Sequence, residues 1–225
     1  HSGHHNQVRL NRISRTGYNG VDVFGPHTVV EYNHIVEPCF SKGDCGGIRV
    51  FGNGNLATTT VHDIVLRSNI IENSVGNVEG VKTEYRQPFG LGLYIDHYSR
   101  DVETIDNTVL HSTFTGLLYQ NSTGAITGNT LYNNATGIHY TGQVNLAGAP
   151  TDIDSMSGNI LFGLADNAWT LALDGGTLSS SDHNYFFHPF VSKHIATGGW
   201  DGRKTFDEWR SWSGQDAGSH DNWYE

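Results

Sequence analysis

The sequence predicts an all-β chain folded as a right-handed parallel β-helix solenoid with a short C-terminal helical cap. Two interleaved phrases and one capping signal predict it. The first phrase centres on an asparagine with an aliphatic residue two positions on: Leu10-Asn11-Arg12-Ile13, Tyr32-Asn33-His34-Ile35, Ser68-Asn69-Ile70-Ile71, Asp106-Asn107-Thr108-Val109, Gly128-Asn129-Thr130-Leu131 and Gly158-Asn159-Ile160-Leu161. Asn184-Tyr185-Phe186 is a weaker seventh. The shortest gaps between asparagines are 22 residues and the others run from 25 to 38. A fixed minimal period with variable insertions marks a stacked repeat. A coil of about 22 residues suits strands, whereas paired-helix repeats need more than about thirty.

The second phrase opens on glycine and then alternates. It reads Gly20-Val21-Asp22-Val23-Phe24, Gly47-Ile48-Arg49-Val50-Phe51, Gly92-Leu93-Tyr94-Ile95-Asp96, Gly116-Leu117-Leu118-Tyr119-Gln120 and Gly137-Ile138-His139-Tyr140-Thr141. Glycine is read as opening a turn, and the period of two as a strand with one buried face. The inward set is then Val21/Val23, Ile48/Val50, Leu93/Ile95, Leu117/Tyr119 and Ile138/Tyr140. Asparagines at equivalent turns can hydrogen-bond amide to amide from coil to coil. Six to seven coils are expected over residues 1–190, followed by a capping segment over 191–225. In that segment Thr205 and Glu208 fit a capping box, and Phe206, Trp209 and Trp212 give a short helix one apolar stripe. At the other end, Ser2 to Val8 already reads as turn and strand leading into the Asn11 phrase. An open first coil exposes unpaired edges, so upstream coils or another chain are expected to cover it.

Composition narrows the function. A formal charge of −10 with only 13 Lys and Arg lacks the basic footprint of a nucleic-acid binder. No apolar run is long enough to span a membrane. Few lysines with abundant Gly, Asn, Thr and Ser suit a secreted or cell-surface solenoid. Cys39 and Cys45 bracket a short loop, and in an exported protein a disulfide is expected there, with two free thiols as the alternative. No metal or cofactor is expected, because no Cys-x-x-Cys or paired-histidine spacing occurs. His27, His34, His62, His111, His183, His188, His194 and His220 are read as structural or solvated.

Outward residues of one solenoid sheet form a ladder with rungs about 4.8 Å apart. Aligning the glycine phrases puts Asp22, Arg49, Tyr94, Leu118 and His139 in one outward column, and Phe24, Phe51, Asp96, Gln120 and Thr141 in the next. Carboxylates and arginine hydrogen-bond sugar hydroxyls, and aromatic rings stack on the apolar faces of pyranoses. The alternative is a solvated sheet face with ordinary cross-strand pairs such as Asp22 with Arg49. In this register Ile48 is buried and Arg49 is exposed, so Arg49→Ala is expected to leave melting nearly unchanged. The long insertion between the Asn69 and Gly92 phrases adds Glu79, Lys82, Glu84, Tyr85 and Arg86. Long loops over a regular solenoid are usually functional.

The pattern over roughly residues 2–190 resembles the pectin-lyase-like superfamily of right-handed parallel β-helices. The segment Asp44-Cys45-Gly46-Gly47-Ile48 resembles the Asp-Gly-Gly-aliphatic phrase of β-helix carbohydrate hydrolases, with Cys45 interposed. Gly92-Leu93-Tyr94-Ile95-Asp96-His97-Tyr98-Ser99 resembles their Gly-Ile-Tyr-Leu-Asp-Asp-x-Ser phrase, with His97 in place of the second Asp. The resemblance implies a carbohydrate-active protein acting on a polysaccharide. Asp44, Glu84, Asp96 and His97 are the catalytic candidates, and Asp22, Phe24, Arg49, Phe51, Lys82, Tyr94, Gln120 and His139 the substrate-binding ones. Three classes stay open, since the fold hosts many functions. A glycoside hydrolase would use a pair among Asp44, Asp96 and Glu84. A polysaccharide lyase would use Arg49, Lys82, Tyr94 and His97 on a uronate. A non-catalytic structural or adhesive solenoid would use none of them.

Overall fold

The computed structural model describes residues 3–79, 88–136, 142–198 and 202–221. Its coils turn where single residues adopt left-handed backbone. The residue before each ladder asparagine has positive φ: Leu10 58°, Tyr32 55°, Ser68 53°, Asp106 51°, Gly128 67°, Gly158 67° and His183 58°. One left-handed step bends an extended chain sharply, so the next residues enter a different sheet. A second such column, Arg15, Glu37, Asn73, His111 and Asn133, ends the strand that follows each of the first five asparagines.

Three short strands per coil result. The first coil holds β1 (Gln7–Arg9), β2 (Arg12–Ser14) and β3 (Val21–Val23); the second β4 (Val29–Glu31), β5 (His34–Val36) and β6 (Cys45–Phe51); the third β7 (His62–Arg67), β8 (Ile70–Glu72) and β9 (Gly90–Asp96). The fourth holds β10 (Arg100–Ile105), β11 (Thr108–Leu110) and β12 (Thr115–Gln120); the fifth β13 (Thr123–Thr127), β14 (Thr130–Tyr132) and β15 (Gly142–Ala147); the sixth β16 (Asp152–Ser157), β17 (Ile160–Phe162) and β18 (Trp169–Asp174). The last comprises β19 (Thr177–Leu178), β20 (Ser181–Asp182), β21 (Tyr185–Phe187) and β22 (Ile195–Thr197), before β23 (Arg203–Lys204) and α1 (Phe206–Ser213). The first sheet runs β1-β4-β7-β10-β13-β16-β19 with β20 also on β16, the second β2-β5-β8-β11-β14-β17-β21, and the third β3-β6-β9-β12-β15-β18-β22-β23. All pairings are parallel except β22 with β23.

The asparagines form one continuous ladder. The Nδ2 of Asn11 donates to Asn33 Oδ1 at 2.9 Å, and the same bond runs from Asn33 to Asn69 (3.0 Å), Asn69 to Asn107 (3.0 Å), Asn107 to Asn129 (3.0 Å), Asn129 to Asn159 (3.1 Å) and Asn159 to Asn184 (2.9 Å). Each Oδ1 also accepts the backbone N–H of the preceding coil's asparagine. From Asn33 to Asn184 these side chains are buried, so the ladder satisfies turn backbone that water cannot reach.

Aliphatic residues from all three sheets fill the interior. Ile35, Ile71, Val109, Leu131, Leu161 and Phe186 form one column, each fully buried. The expected inward pairs Ile48/Val50, Leu93/Ile95 and Leu117/Tyr119 are also fully buried, and Val21/Val23 nearly so. Two expectations are corrected. Gly47, Gly92 and Gly116 lie inside β6, β9 and β12 and do not open turns there. A Cβ at Gly47 would strike Ile71, and one at Gly92 would strike Val109, so these glycines let the second sheet's side chains approach the third. The phrase Gly137–Thr141 lies outside the described residues, and β15 holds the fifth rung of the third sheet. There Val144 and Leu146 point inward, where Ile138 and Tyr140 were expected. The shift has a visible cause: Gln143 Oε1 accepts from Asn134 N (2.9 Å) and Nδ2 (3.0 Å), extending a second short ladder from Ser112.

The cap follows the sequence reading closely. Thr205 and Glu208 make the reciprocal capping box, and Gly214 closes α1 with φ 70°. Phe206 and Trp209 are buried, with the Phe206 ring 5.5 Å from Phe186. Trp212 departs from the expected stripe: it is 60% exposed, with the Lys204 ammonium 5.2 Å from its ring. Trp209 Nε1 donates to Asp216 Oδ2 at 2.7 Å, and Asp216 Oδ1 accepts from Ser181, Ser219 and the Asn184 amide. Among the described residues no helix is long and apolar enough to cross a membrane.

Two predictions follow from this packing. Asn107→Ala takes the acceptor from the Asn69 backbone and amide N–H groups, the amide donor from the Leu66 carbonyl and one of the two N–H groups on Asn129 Oδ1, and is expected to destabilise by about 2–4 kcal/mol. Asn11→Ala, on the exposed first rung, should cost under about 1 kcal/mol by the same reasoning; urea unfolding of the two variants checks the contrast. The second concerns His194, whose pKa falls to about 4 through burial first and the neighbouring His188 second. The folded value lies below the ordinary 6.5, so this stability is full above pH 6.5 and is lost as pH falls toward 4. The loss should reach about 3 kcal/mol, and a His194→Gln variant should show a shallower decline of urea midpoint with acid.

Candidate functional site

The third sheet carries the outward column in the expected register through four coils. Asp22 stands beside Arg49, Arg49 beside Tyr94, Tyr94 beside Leu118, and Phe51 beside Asp96. At the fifth coil Asn145 stands beside Leu118 and Ala147 beside Gln120, the places expected for His139 and Thr141. His139, Lys82 and Glu84, with Tyr85 and Arg86, lie outside the described residues.

Arg49 is the hub. Its Nε donates to Asp22 Oδ1 at 3.0 Å, its Nη1 donates to the Tyr18 hydroxyl at 3.3 Å, and Nη1 lies 3.9 Å from Asp96 Oδ2. The guanidinium sits 4.8 Å from the Phe51 ring centre, 5.6 Å from Tyr18 and 5.9 Å from Phe24. These rings shield it, and the side chain is only 14% exposed. The sequence reading of Arg49 as an exposed rung is therefore corrected: the outward position is covered by its aromatic neighbours.

Carboxylates surround this hub. Asp96 is 4% exposed and its Oδ1 meets Nδ1 of the exposed His97. Tyr94 donates its hydroxyl to Asp44 Oδ1 at 3.2 Å and lies 3.5 Å from Gln120 Oε1. Burial first, then the Asp96 and Asp44 carboxylates, push the Tyr94 phenol far above its ordinary range. Burial also raises Tyr18, opposed by Arg49 and reinforced by Asp44, Asp22 and Asp96. Asp44 adopts φ 53° immediately before Cys45, and the Cys39–Cys45 disulfide, with Cα atoms 5.8 Å apart, ties its loop to β6.

The face divides in two. Leu91, Tyr94 and Leu118 pack with Phe89, Phe114 and Ala147 into a second apolar cluster outside the sheet. Leu118, expected as a groove rung, is thus buried. Phe24 and Phe51 make an edge contact at 6.3 Å, and Phe51 lies 6.1 Å from the His97 ring, so an aromatic row borders the polar half. Sequence reasoning missed Tyr18 and Asn19. Asn19 donates to both Asp22 oxygens at 2.9 Å and accepts from Gly46 N at 2.8 Å. The only available signal was an aromatic and an amide set between Gly17 and Gly20. It also missed a gathering of His27 and His62 about Asp63, where the chain turns from the third sheet into the first. A separate cleft of about 330 Å³ on the first sheet is lined by Asp63, Asp101, Glu103 and Asp154, and none of the expected site residues lines it.

Fold and site together define a parallel β-solenoid with an arginine-centred, carboxylate-rich face. No family model, curated protein or solved structure matches the chain.

Arg49→Ala is expected to lower stability by about 1–3 kcal/mol, because it removes a positive charge from beside buried Asp96 and half-buried Asp22. Arg49→Lys should recover only part, since an ammonium cannot serve Asp22 and Tyr18 with separate nitrogens. An unchanged urea midpoint in the alanine variant would remove Arg49 from its role as hub.

Proposed function

We propose that the polar half of the third-sheet face binds a polysaccharide and hydrolyses a glycosidic bond in it. The observation that carries this reading is the convergence of Asp22, Asp44 and Asp96 on Arg49 and Tyr94 from successive coils. Glycoside hydrolysis uses one carboxyl group to protonate the leaving oxygen and a second to activate water or attack the sugar. Asp96 and Asp44, which flank the Tyr94 phenol, are the proposed pair. His97, in contact with Asp96, can pass a proton between that carboxyl group and solvent. Asp22 and Gln120 would hold sugar hydroxyls, Arg49 would hold Asp22 and Asp96 in place beneath them, and Phe24 and Phe51 would stack on a pyranose.

Hydrolysis is favoured over elimination by the same geometry. A lyase needs positive charge for the uronate carboxylate and a base for the C5 proton. Arg49 is already engaged by Asp22, and the raised pKa of Tyr94 keeps it a protonated phenol at neutral pH, so it is not available to take the proton. On this reading the chain is a member of the pectin-lyase-like superfamily of right-handed β-helices. The disulfide fits an oxidising compartment and supports a secreted or cell-surface enzyme.

The test is a panel of neutral and acidic polysaccharides assayed for new reducing ends and for near-ultraviolet absorbance. Reducing ends without absorbance are expected, and Asp96→Asn should lower turnover by about a thousandfold while retaining glycan binding. Products that absorb would establish elimination instead. Failure of the parent protein to cleave or bind any glycan would overturn the reading.

A further inference from the structure

The turn that leads into the first sheet stacks a different chemistry. Val29 pairs with Val65 and Gln7 with Val29, so His27 stands level with Asp63, and His5 with His27. All three take left-handed backbone, with φ of 55° at His5, 53° at His27 and 54° at Asp63. The His27 N–H donates to the His62 carbonyl at 3.0 Å, which draws the two histidines together. His62 Nδ1 lies 2.7 Å from Asp63 Oδ2, and His27 Nδ1 lies 3.4 Å from the same oxygen. The two imidazoles are nearly perpendicular, at 87° with centres 5.2 Å apart, so both nitrogens can face the shared carboxylate without ring stacking.

We propose that His27, His62 and Asp63 form a binding site for a divalent transition-metal ion of the zinc class. One ligand-capable atom from each residue lies within 4.8 Å of the other two. Tetrahedral zinc, with bonds near 2.1 Å, spaces its ligand atoms about 3.4 Å apart, so the cluster needs only a small adjustment. Two imidazole nitrogens with one carboxylate select zinc, nickel or copper over magnesium and calcium, which prefer oxygen shells. Arg100 does not occupy the place, because its Nε is turned to Asp101 at 3.1 Å. His27 and Asp63 are exposed, which leaves an entry path and room for water as a further ligand. The His5 ring stacks on His27, with centres 4.6 Å apart, and covers one side of that imidazole. The ligands come from the second and third coils, so a bound ion staples two rungs of the solenoid. Asp63 also lines the acidic cleft of the first sheet, so the ion would sit at the mouth of that cleft, apart from the Arg49 face.

Calorimetric titration of the metal-free chain with zinc, and visible spectra with cobalt, test this directly. The expected result is one ion at this site, cobalt d–d bands of a four-coordinate nitrogen and oxygen set, and a zinc-dependent rise in Tm. His62→Ala and Asp63→Asn should each weaken zinc at least tenfold and abolish the Tm rise. His34→Ala, whose ring pairs with Glu72 elsewhere, should change neither. Should His62→Ala fold poorly by circular dichroism, the milder Asp63→Asn carries the comparison. Absence of zinc binding, affinity unchanged in both variants, or equal binding of magnesium would each overturn the site. None of these readouts depends on glycan cleavage.

Discussion

A buried primary amide has two donors and an acceptor to satisfy, and in this solenoid the equivalent asparagines of the neighbouring coils, with one backbone carbonyl, satisfy all three. Interior rungs from Asn33 to Asn159 take two N–H groups on one oxygen and return donors both to the next asparagine and to a backbone carbonyl. That exchange stabilises a left-handed residue at every turn, a conformation that non-glycine residues adopt at a cost of about 1–2 kcal/mol. It also fixes each coil at one corner only. Between corners the chain can lengthen, from 22 residues between Asn107 and Asn129 to 38 between Asn69 and Asn107, without disturbing the stack. The long connections are thereby free to carry chemistry, while the strands beneath them keep register.

The Arg49 face shows what that register permits. A chain with a net charge of −10 places one guanidinium among three aromatic rings and surrounds it with carboxylates. Low local dielectric strengthens each of these pairings and makes each unpaired charge expensive. Tyr94 joins the two halves of the face: its ring packs with Leu91 and Leu118, and its hydroxyl reaches Asp44. The apolar half therefore sets the height of the phenol that the polar half uses.

Much of this was legible in the sequence, for reasons that particular residues make plain. The asparagine and glycine phrases encode a period, and a period survives insertions, so the turns, the inward residues and the neighbours of Asp22, Arg49 and Tyr94 could be read by alignment alone. The fifth rung could not. Gly137 and Gly142 both open alternating runs, and the choice between them rests on the Gln143 side chain taking up the Asn134 amide, a contact that no repeat spacing encodes. The shielding of Arg49 was hidden for a related reason: it depends on Phe24, Phe51 and Tyr18 closing over one point, and Tyr18 precedes its strand. His27 and His62 stand 35 positions apart with no motif spacing, and only the stacked turns bring them to one carboxylate. The glycines were read for backbone freedom when their role is to leave space for Ile71 and Val109.

The amide column has a direction. In the amide-to-amide bonds every rung from Asn11 to Asn159 donates toward the C-terminal end, so these bonds polarise one another in a single sense along the solenoid. At the downstream end the last donor, Asn184 Nδ2, faces the Asp216 carboxylate at 3.3 Å, an anion where the polarised chain presents its positive pole. At the upstream end Asn11 presents an amide oxygen, the negative pole. The two ends are chemically opposite and cannot be exchanged. A coil or partner stacking on Asn11 must offer N–H groups, whereas anything replacing the cap must offer an acceptor, so growth of this solenoid by added coils is polar, with a head and a tail.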